Sequence, residues 1–208
     1  MPNCYLVGAG AFSMRGLYPK AGDCVIAADD GYSALQAEGI TPDLLVGDFD
    51  SLQMIPSDIP RKAFAPEKND TDMALALAEG MARGYRDFVL YGGSGGREDH
   101  THANLQLIGG ASKQGCKCKM VCPGYDIYTL TNGTLSLPKL KTGTIVSVFC
   151  HGEKAEGVTL RGLKYPLTEA TLSCDRPLGV SNEAAGEEAR ITVGSGTLLI
   201  YVMLQSIV

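Results

Sequence analysis

A pair of aspartates at the end of a short apolar run has the clearest chemical meaning in this sequence. The segment Leu44–Ser51 places Asp48 and Asp50 directly after an apolar stretch that ends in Gly47. Side chains alternate between the two faces of a strand, so both carboxylates are expected to point the same way. Mg²⁺ prefers hard oxygen ligands of this kind, together with water and substrate phosphates. The pair therefore predicts a magnesium site, whereas an isolated Asp-x-Asp is more often only an acidic turn.

Three further acidic clusters stand at predicted boundaries between strands and helices. They are the segments Ala28–Gly31, Asn69–Asp72 and Gly95–His100. In open α/β sheets, ligands bind outside the carboxyl ends of the strands. Four acidic clusters at such ends favour a shared site over a chance acidic turn.

The composition is that of an ordinary globular protein that acts on small molecules. The chain has 208 residues, of which 45% are hydrophobic and 20% charged, and its formal net charge is −5. This length suffices for one large domain or two small ones. Nucleic-acid binding needs concentrated Lys and Arg, and no basic run is longer than Arg61-Lys62. We therefore expect no nucleic-acid partner.

The N-terminal segment and the cysteines indicate a reducing compartment. The first residues lack the basic start and apolar core of a signal peptide, and no stretch is long enough for a membrane span. Seven cysteines, mostly within apolar runs, suggest packed thiols rather than a disulfide framework. Cys116, Cys118 and Cys122 lack the second pair of ligands that zinc sites use. We expect a cytoplasmic protein without a membrane partner.

The first part of the chain alternates predicted strands and helices. Short apolar runs predict strands buried on both faces at Cys4–Gly8, Cys24–Ala28, Leu44–Gly47, Phe88–Tyr91 and Cys118–Cys122. Helices are predicted between them at Tyr32–Glu38, Asp72–Arg83 and Thr101–Lys113, with Thr71 as an N-cap. This alternation predicts an α/β domain with a mostly parallel sheet.

From about residue 126 the pattern changes to short strands with alternating apolar positions and no useful helical period. Strands are predicted at Ile127–Leu130, Thr134–Leu137, Thr144–Cys150, Val158–Leu160, Ala170–Cys174, Ala189–Val193 and Thr197–Met203. Asn132-Gly133 predicts a hairpin turn between the first two. We expect an all-β sandwich over residues 126–208, following the α/β domain of residues 1–125.

The acidic clusters, together with Asn104 and the late segment Gly179–Glu183, occur in the order and approximate spacing of one family. In these motifs the chain resembles the thiamine pyrophosphokinases, which transfer pyrophosphate from ATP to thiamine. The resemblance implies an N-terminal α/β catalytic domain followed by a thiamine-binding β-sandwich. This architecture agrees with the division that periodicity alone predicts.

The resemblance also implies roles for particular residues and a homodimer whose thiamine site combines two subunits. It implies Mg²⁺ ligands at Asp48, Asp50 and Asp72, and a further catalytic role for Asp99. ATP-binding residues are implied at Asp29, Ser51, Gly95, Gly96, Arg97, His100 and Asn104. Thiamine contacts are implied at Ser181 and Asn182. The sequence has no Trp, so an aromatic or planar partner for thiamine must be Tyr, Phe or Arg.

The glycine-rich segment Gly92–Arg97 can present backbone N–H groups to phosphate, with Arg97 adding a positive charge. No Gly-Lys-Ser or Gly-Lys-Thr occurs, which excludes a P-loop kinase. The group that accepts the proton of the thiamine hydroxyl stays open among Asp72, Asp99 and His100.

Three other functions compete with the thiamine pyrophosphokinase hypothesis. A related pyrophosphokinase could act on a pterin alcohol, although it should lack a sandwich carrying Ser181-Asn182. A phosphatase could use Asp48 as its nucleophile, but no later Lys and acidic pair can be placed. A non-catalytic module could bind thiamine or nucleotide without forming AMP.

Overall fold

Strands and helices alternate in the first part of the chain. The computed structural model describes residues 1–49, 56–64 and 70–204. Two compact units are formed, one by residues 1–107 with 118–123, the other by residues 108–117 with 124–208. The elements up to residue 122 are β1 (Asn3–Val7), β2 (Cys24–Ala28), α1 (Gly31–Ala37), β3 (Leu44–Gly47), β4 (Arg61–Ala63), α2 (Asp72–Ala82), β5 (Asp87–Tyr91), α3 (Glu98–Lys113) and β6 (Lys117–Cys122).

The strands of the first unit pair in parallel around β1. Strand β1 lies between β2 and β5, β2 pairs with β3, and β3 pairs with β4. Strand β6 lies beside β5 in the strand order. Because parallel strands share one direction, the segments that follow β1, β2, β3 and β5 emerge at the same edge of the sheet. This edge carries the glycines and aspartates that the sequence singles out.

Burial explains why the strands of this unit are unbroken apolar runs. All five residues of β2 and all four of β3 are buried. Strands covered on both faces need no polar alternation. Strand β4 was missed because Arg61, Lys62 and Ala63 are all exposed and give no apolar signal.

Helix α2 begins and packs as predicted. The Thr71 hydroxyl accepts a hydrogen bond from the Ala74 N–H at 3.2 Å, which confirms the N-cap. Met73 and Leu77, one turn apart, face the core. Helix α3 begins at Glu98, three residues before the predicted Thr101, because its first turn is polar and shows no apolar period. The acidic first turn stabilises the positive end of the helix dipole.

The second unit consists mainly of antiparallel strands. They are β7 (Tyr125–Leu137), β8 (Ile145–Cys150), β9 (Lys154–Arg161), β10 (Leu167–Ser173), β11 (Asn182–Glu183) and β12 (Ala189–Met203). Strand β12 pairs with β7, β8 and β9, while β10 pairs with β9 and β11 with β8. Inward-facing aliphatic side chains, such as Val148, Leu160 and Ile191, form one core.

The hairpin turn predicted at Asn132-Gly133 is wrong. Strand β7 runs through both residues and pairs with β12 on either side, with a register shift between Val193 and Thr197. Asn132 has a φ of +45°, and its side-chain oxygen accepts a hydrogen bond from the Gly196 N–H at 2.9 Å. Asn132 therefore lies at an irregularity between two long paired strands. It adopts there the same left-handed backbone conformation that Asn adopts in turns.

The prediction of a mostly parallel sheet is also corrected, because the sheet is mixed. Parallel pairs link β1, β2, β3, β4 and β5, whereas the strands from β7 onward pair in antiparallel fashion. The sequence pattern predicted both kinds of strand, but it does not reveal which strands share a sheet.

The cysteines and the helices can be compared with what the sequence predicts for disulfides and membrane spans. None of the seven cysteines, all of which lie among the described residues, forms a disulfide. Within the described part of the chain, no helix is long and apolar enough to cross a membrane.

Candidate functional site

A cavity of about 360 Å³ lies within the first unit and is lined by segments from several elements. It is bounded by residues 8–10 after β1, residues 28–29 at the end of β2, residues 71–73 at the start of α2 and residues 92–97 after β5. The first turns of α3 complete the lining with His100, Thr101, Ala103 and Asn104. Three of the predicted acidic segments thus contribute to one cavity, through Asp29, Asp72 and residues 95–97 with His100, whereas the side chains of Asp48 and Asp99 do not line it.

Two glycine-rich segments, which follow the carboxyl ends of β1 and β5, are hydrogen-bonded to each other. The Gly8 N–H donates to the Tyr91 carbonyl at 2.9 Å, and the Gly10 N–H donates to the Gly92 carbonyl at 2.9 Å. The Ala11 N–H donates to the Ser94 carbonyl at 2.7 Å. The segments pack backbone against backbone, which leaves no room for larger residues at several of these positions.

Gly92 is the position where this packing is tightest. Its φ is +61°, and an added Cβ would lie 2.1 Å from the Gly8 carbonyl oxygen. Replacement with alanine should lower the free energy of unfolding by about 3 kcal/mol, because overpacking adds to backbone strain. Gly115→Ala is the matched control, since Gly115 has a φ of +83° and open space around it. That variant should lose only about 1 kcal/mol in urea unfolding. Equal losses in the two variants would contradict the packing argument.

The carboxylate of Asp72 and the backbone of Asp29 both approach Gly47. A Cβ added to Gly47 would lie 3.3 Å from Asp72 Oδ1 and 3.3 Å from the Cα of Asp29. The Asp29 N–H donates to the Val46 carbonyl at 2.8 Å, which ties the end of β2 to β3. Asp48 follows Gly47 directly and is partly buried. The absence of a side chain at Gly47 leaves an open cradle beside the Asp72 carboxylate and the Asp29 backbone, with Asp48 next along the chain.

This donor set consists of hard oxygens and suits Mg²⁺ rather than a thiophilic metal. Asp50 and Ser51, both predicted site residues, lie outside the described residues. Within the described part, which leaves out Asp50, no group of three or more His, Cys, Asp or Glu is arranged to hold a metal ion. A magnesium site here would therefore need Asp50, substrate phosphates or water to complete its ligands.

Left-handed backbone occurs on both sides of this cradle. Asp29 has a φ of +49° and Phe49 a φ of +63°. Phe49 is 5% exposed and belongs to the core of the first unit. Strained conformations of non-glycine residues persist where surrounding structure fixes them, and they cluster at functional sites. The buried Phe49 ring thus anchors the chain immediately after Asp48.

Arg97 and Asp99 form a two-pronged ion pair at the start of α3. Arg97 Nη2 lies 2.6 Å from Asp99 Oδ2, and Arg97 Nε donates to Asp99 Oδ1 at 3.1 Å. This contact, helped by the His100 N–H, holds the pKa of Asp99 below its usual value. It also raises the pKa of Arg97. Both side chains are exposed, so a phosphate could approach Arg97 from solvent. It would have to compete with the Asp99 carboxylate for the guanidinium.

Asn104, in α3, holds the glycine-rich segment in place through a hydrogen bond. Its side chain is buried, and its Nδ2 donates to the Gly93 carbonyl at 2.9 Å. Gly95 and Gly96 are exposed at the cavity, as is His100. The structure therefore brings the predicted nucleotide-binding residues of this region together, with Asn104 acting on the segment that would contact phosphate.

Ser181 and Asn182 lie in the second unit. Ser181 is exposed with a φ of +56°, and its N–H donates to the Ser147 hydroxyl at 3.0 Å. Asn182 is 4% exposed, and its Oδ1 accepts hydrogen bonds from the N–H groups of Tyr165 and Glu183, both at 2.9 Å. Its Nδ2 donates to the Tyr165 carbonyl at 2.7 Å. Asn182 thus fixes the backbone of Tyr165, whose ring is exposed.

Two family models match the chain in succession. The model of the thiamin pyrophosphokinase catalytic domain matches residues 17–120. The model of the thiamin pyrophosphokinase vitamin B1 binding domain matches residues 128–198. The chain belongs to the thiamine pyrophosphokinase family.

Curated and solved members of the thiamine pyrophosphokinase family agree with this assignment. Thiamine pyrophosphokinase from Bacillus subtilis is 28% identical over 181 residues, which cover 84% of this chain and 85% of that protein. The crystal structure of thiamin pyrophosphokinase from Geobacillus thermodenitrificans is 26% identical, with a TM-score of 0.84 and coverage of 99% of each chain. The function predicted from the sequence, that of a thiamine pyrophosphokinase, is confirmed, and the alternatives are not favoured.

Structures that share fewer identical residues with this chain support only its fold. The Bacillus subtilis thiamine pyrophosphokinase crystal structure, at 23% identity, has a TM-score of 0.88 and covers 98% of this chain and 99% of that one. Thiamin pyrophosphokinase from Candida albicans, at 14% identity, has a TM-score of 0.78 and covers 98% and 89%. The architecture is thus retained where few residues are shared.

Sequence reasoning missed two parts of these sites. The segment Gly8–Gly10 lines the cavity, and its alternating glycines directly after a predicted strand were a usable signal. Tyr165 was not singled out, and its hydrogen bonds to Asn182 join residues 17 positions apart. No local pattern reveals such a contact.

Proposed function

We propose that residues 1–125 form the catalytic domain, where the thiamine hydroxyl attacks the β-phosphorus of ATP and AMP leaves. Residues 126–208 would form a β-sandwich domain that binds thiamine. The observation that carries this proposal is the meeting of carboxylates and glycine-rich backbone in one cavity. Pyrophosphoryl transfer needs charge neutralisation and alignment more than covalent catalysis. The cavity supplies groups for both tasks.

Asp48, Asp50 and Asp72 would hold Mg²⁺, with Asp29 beside them. Bound there, the ion would neutralise charge on the triphosphate and make the β-phosphorus a better electrophile. Gly47 keeps this space open, because any side chain would approach Asp72 and Asp29. The oxygen donors of the described residues support this assignment, and Ser51 would lie close to it along the chain.

The glycine-rich segment after β5 would bind the phosphates of ATP. Backbone N–H groups near Gly95 and Gly96 and the start of α3 favour anions. Arg97 would exchange its contact with Asp99 for one with phosphate. Asn104 would keep the segment in place through the Gly93 carbonyl.

The proton of the thiamine hydroxyl would pass to His100 or Asp99 rather than to Asp72, because a carboxylate that holds Mg²⁺ is a weak base. Arg97 lowers the pKa of Asp99 in the free protein, and Asp99 would become a stronger base once Arg97 turns to phosphate. His100 lines the cavity and lies one residue from that ion pair.

We further propose a cytoplasmic homodimer that contributes residues from two subunits to each thiamine site. The family resemblance supports this arrangement. Sedimentation analysis of the purified chain tests it, and a monomer that turns over normally would reject it.

The central test measures AMP and thiamine diphosphate from purified protein with ATP, Mg²⁺ and thiamine, with each component omitted in turn. Equal amounts of both products, formed only with metal and abolished by a chelator, would support the proposal. AMP formed with a pterin alcohol instead of thiamine would support the competing pyrophosphokinase. Thiamine binding without any AMP would indicate a non-catalytic module.

Ser181→Ala tests the thiamine contact. Loss of one hydrogen bond from an exposed hydroxyl should raise the KM for thiamine by about fivefold to tenfold and leave the KM for ATP unchanged. Ser195→Ala, another exposed serine of the second unit, should change neither constant. An unchanged thiamine KM in Ser181→Ala would reassign Ser181 to the support of the chain near Ser147.

A further inference from the structure

The ammonium group of Lys164 occupies a contact that is built to hold a cation. Its Nζ lies 5.3 Å from the centre of the Tyr165 ring and 2.8 Å from Glu183 Oε1. An aromatic face beside a carboxylate is the arrangement by which proteins bind organic cations. The Glu183 hydrogen bond raises the pKa of Lys164, so the lysine stays charged.

The backbone that carries the Tyr165 ring and the Glu183 carboxylate is held in place by hydrogen bonds. Asn182 binds both the N–H and the carbonyl of Tyr165. Glu183 lies in β11, which pairs with β8, and its carbonyl accepts the Lys164 N–H at 2.8 Å. The backbone positions from which the ring and the carboxylate reach the cation are therefore fixed.

Thiamine carries a permanent positive charge on its thiazolium ring and offers no N–H there for hydrogen bonding. Such a ring is best recognised by an aromatic face and a nearby carboxylate. Ser181, the proposed thiamine contact, is two residues before Glu183. The second unit thus presents a cation-binding pair beside a residue already proposed to bind the same substrate.

We infer that Tyr165 and Glu183 bind the thiazolium ring of thiamine, and that Lys164 occupies this site as an internal competitor until thiamine displaces it. This inference rests on the proposed function. It assigns the recognition of a cationic substrate to Tyr165 and Glu183. It also implies that Lys164 lowers the affinity for thiamine.

Lys164→Met removes the competing charge while keeping an unbranched side chain. The KM for thiamine should fall by about threefold to tenfold, because an exposed cation–aromatic contact has to be broken in the parent protein and not in the variant. The KM for ATP should not change. Lys154→Met is the matched control, since Lys154 is an exposed lysine of the same unit that pairs with Glu156 at 2.9 Å. It loses the same charge at a different place.

Two further variants identify the partners of the substrate. Glu183→Gln combined with Lys164→Met should cancel the gain in thiamine affinity, because the carboxylate is then absent. Tyr165→Leu should raise the KM for thiamine, whereas Tyr165→Phe should keep it near the parent value.

An equal fall in KM for both lysine variants would overturn the inference in favour of long-range charge. An unchanged or higher thiamine KM in Lys164→Met would overturn it as well. Calorimetric binding of a 3-benzylthiazolium salt needs no turnover, so it tests the cation site even if the proposed reaction fails. Tighter binding by Lys164→Met alone would support the site, and equal binding by all variants would reject it.

Discussion

Replacing Asp72 with asparagine is expected to abolish formation of AMP and thiamine diphosphate while the fold survives. Asp72 Oδ1 faces the cradle at Gly47, so a neutral amide there removes one charge from the proposed Mg²⁺ ligands. We expect kcat/KM to fall by about a thousandfold or more, in line with the loss of a group that stabilises transition-state charge. Stability should fall by only about 0.5 kcal/mol, the value of a carboxylate in the first turn of a helix.

Asp70→Asn provides the matched control for this substitution. Asp70 is exposed and precedes Thr71, so its loss also removes a negative charge near the start of α2. Turnover in Asp70→Asn should stay within about twofold of the parent, as surface substitutions usually do. Both variants should be compared at several Mg²⁺ concentrations. Normal turnover in Asp72→Asn would remove Asp72 from the metal ligands.

The second large effect is expected from Gly47→Ala. The added Cβ would press on Asp72 Oδ1 and on the backbone of Asp29, each 3.3 Å away, at a φ of +154° that side chains rarely adopt. The Asp72 carboxylate and the Asp29 backbone would have to move by a few tenths of an ångström. Displacement of aligned groups on this scale should lower kcat by about tenfold to a hundredfold.

Gly39→Ala separates this displacement from simple backbone strain. Gly39 has a φ of +70°, and a Cβ there would meet no atom within 4 Å. The control should lose about 1 kcal/mol of stability and keep normal turnover. Unfolding midpoints and initial rates of AMP formation measure both effects. If Gly47→Ala is as active as Gly39→Ala, the cradle has no role in catalysis.

Local patterns predicted those parts of the fold that depend on local physics. Buried strands such as β2 and β3 are unbroken apolar runs, and Thr71 caps α2 through its own hydroxyl. The aspartates after these strands were found because strand ends are recognisable in sequence. Their meeting around Gly47 follows from parallel pairing, which the alternation of strands and helices predicted for this part of the chain.

Features that depend on distant partners were not predictable. Asn132-Gly133 has the composition of a turn, yet pairing with β12 carries β7 straight through it. The amide of Asn182 binds the backbone of Tyr165. In each case a contact made in three dimensions decides what the residue does.

The hydrogen bonds between Gly8–Ala11 and Gly92–Ser94 have a consequence for the thermodynamics of ATP binding. The N–H groups of Gly10 and Ala11 are already paired with the carbonyls of Gly92 and Ser94, so these segments have little conformational entropy left to lose when a phosphate arrives. Preorganised backbone of this kind lets contact energy appear as affinity instead of being consumed in ordering a loop. Nucleotide is thus expected to bind to a preformed site at this segment, with little induced fit.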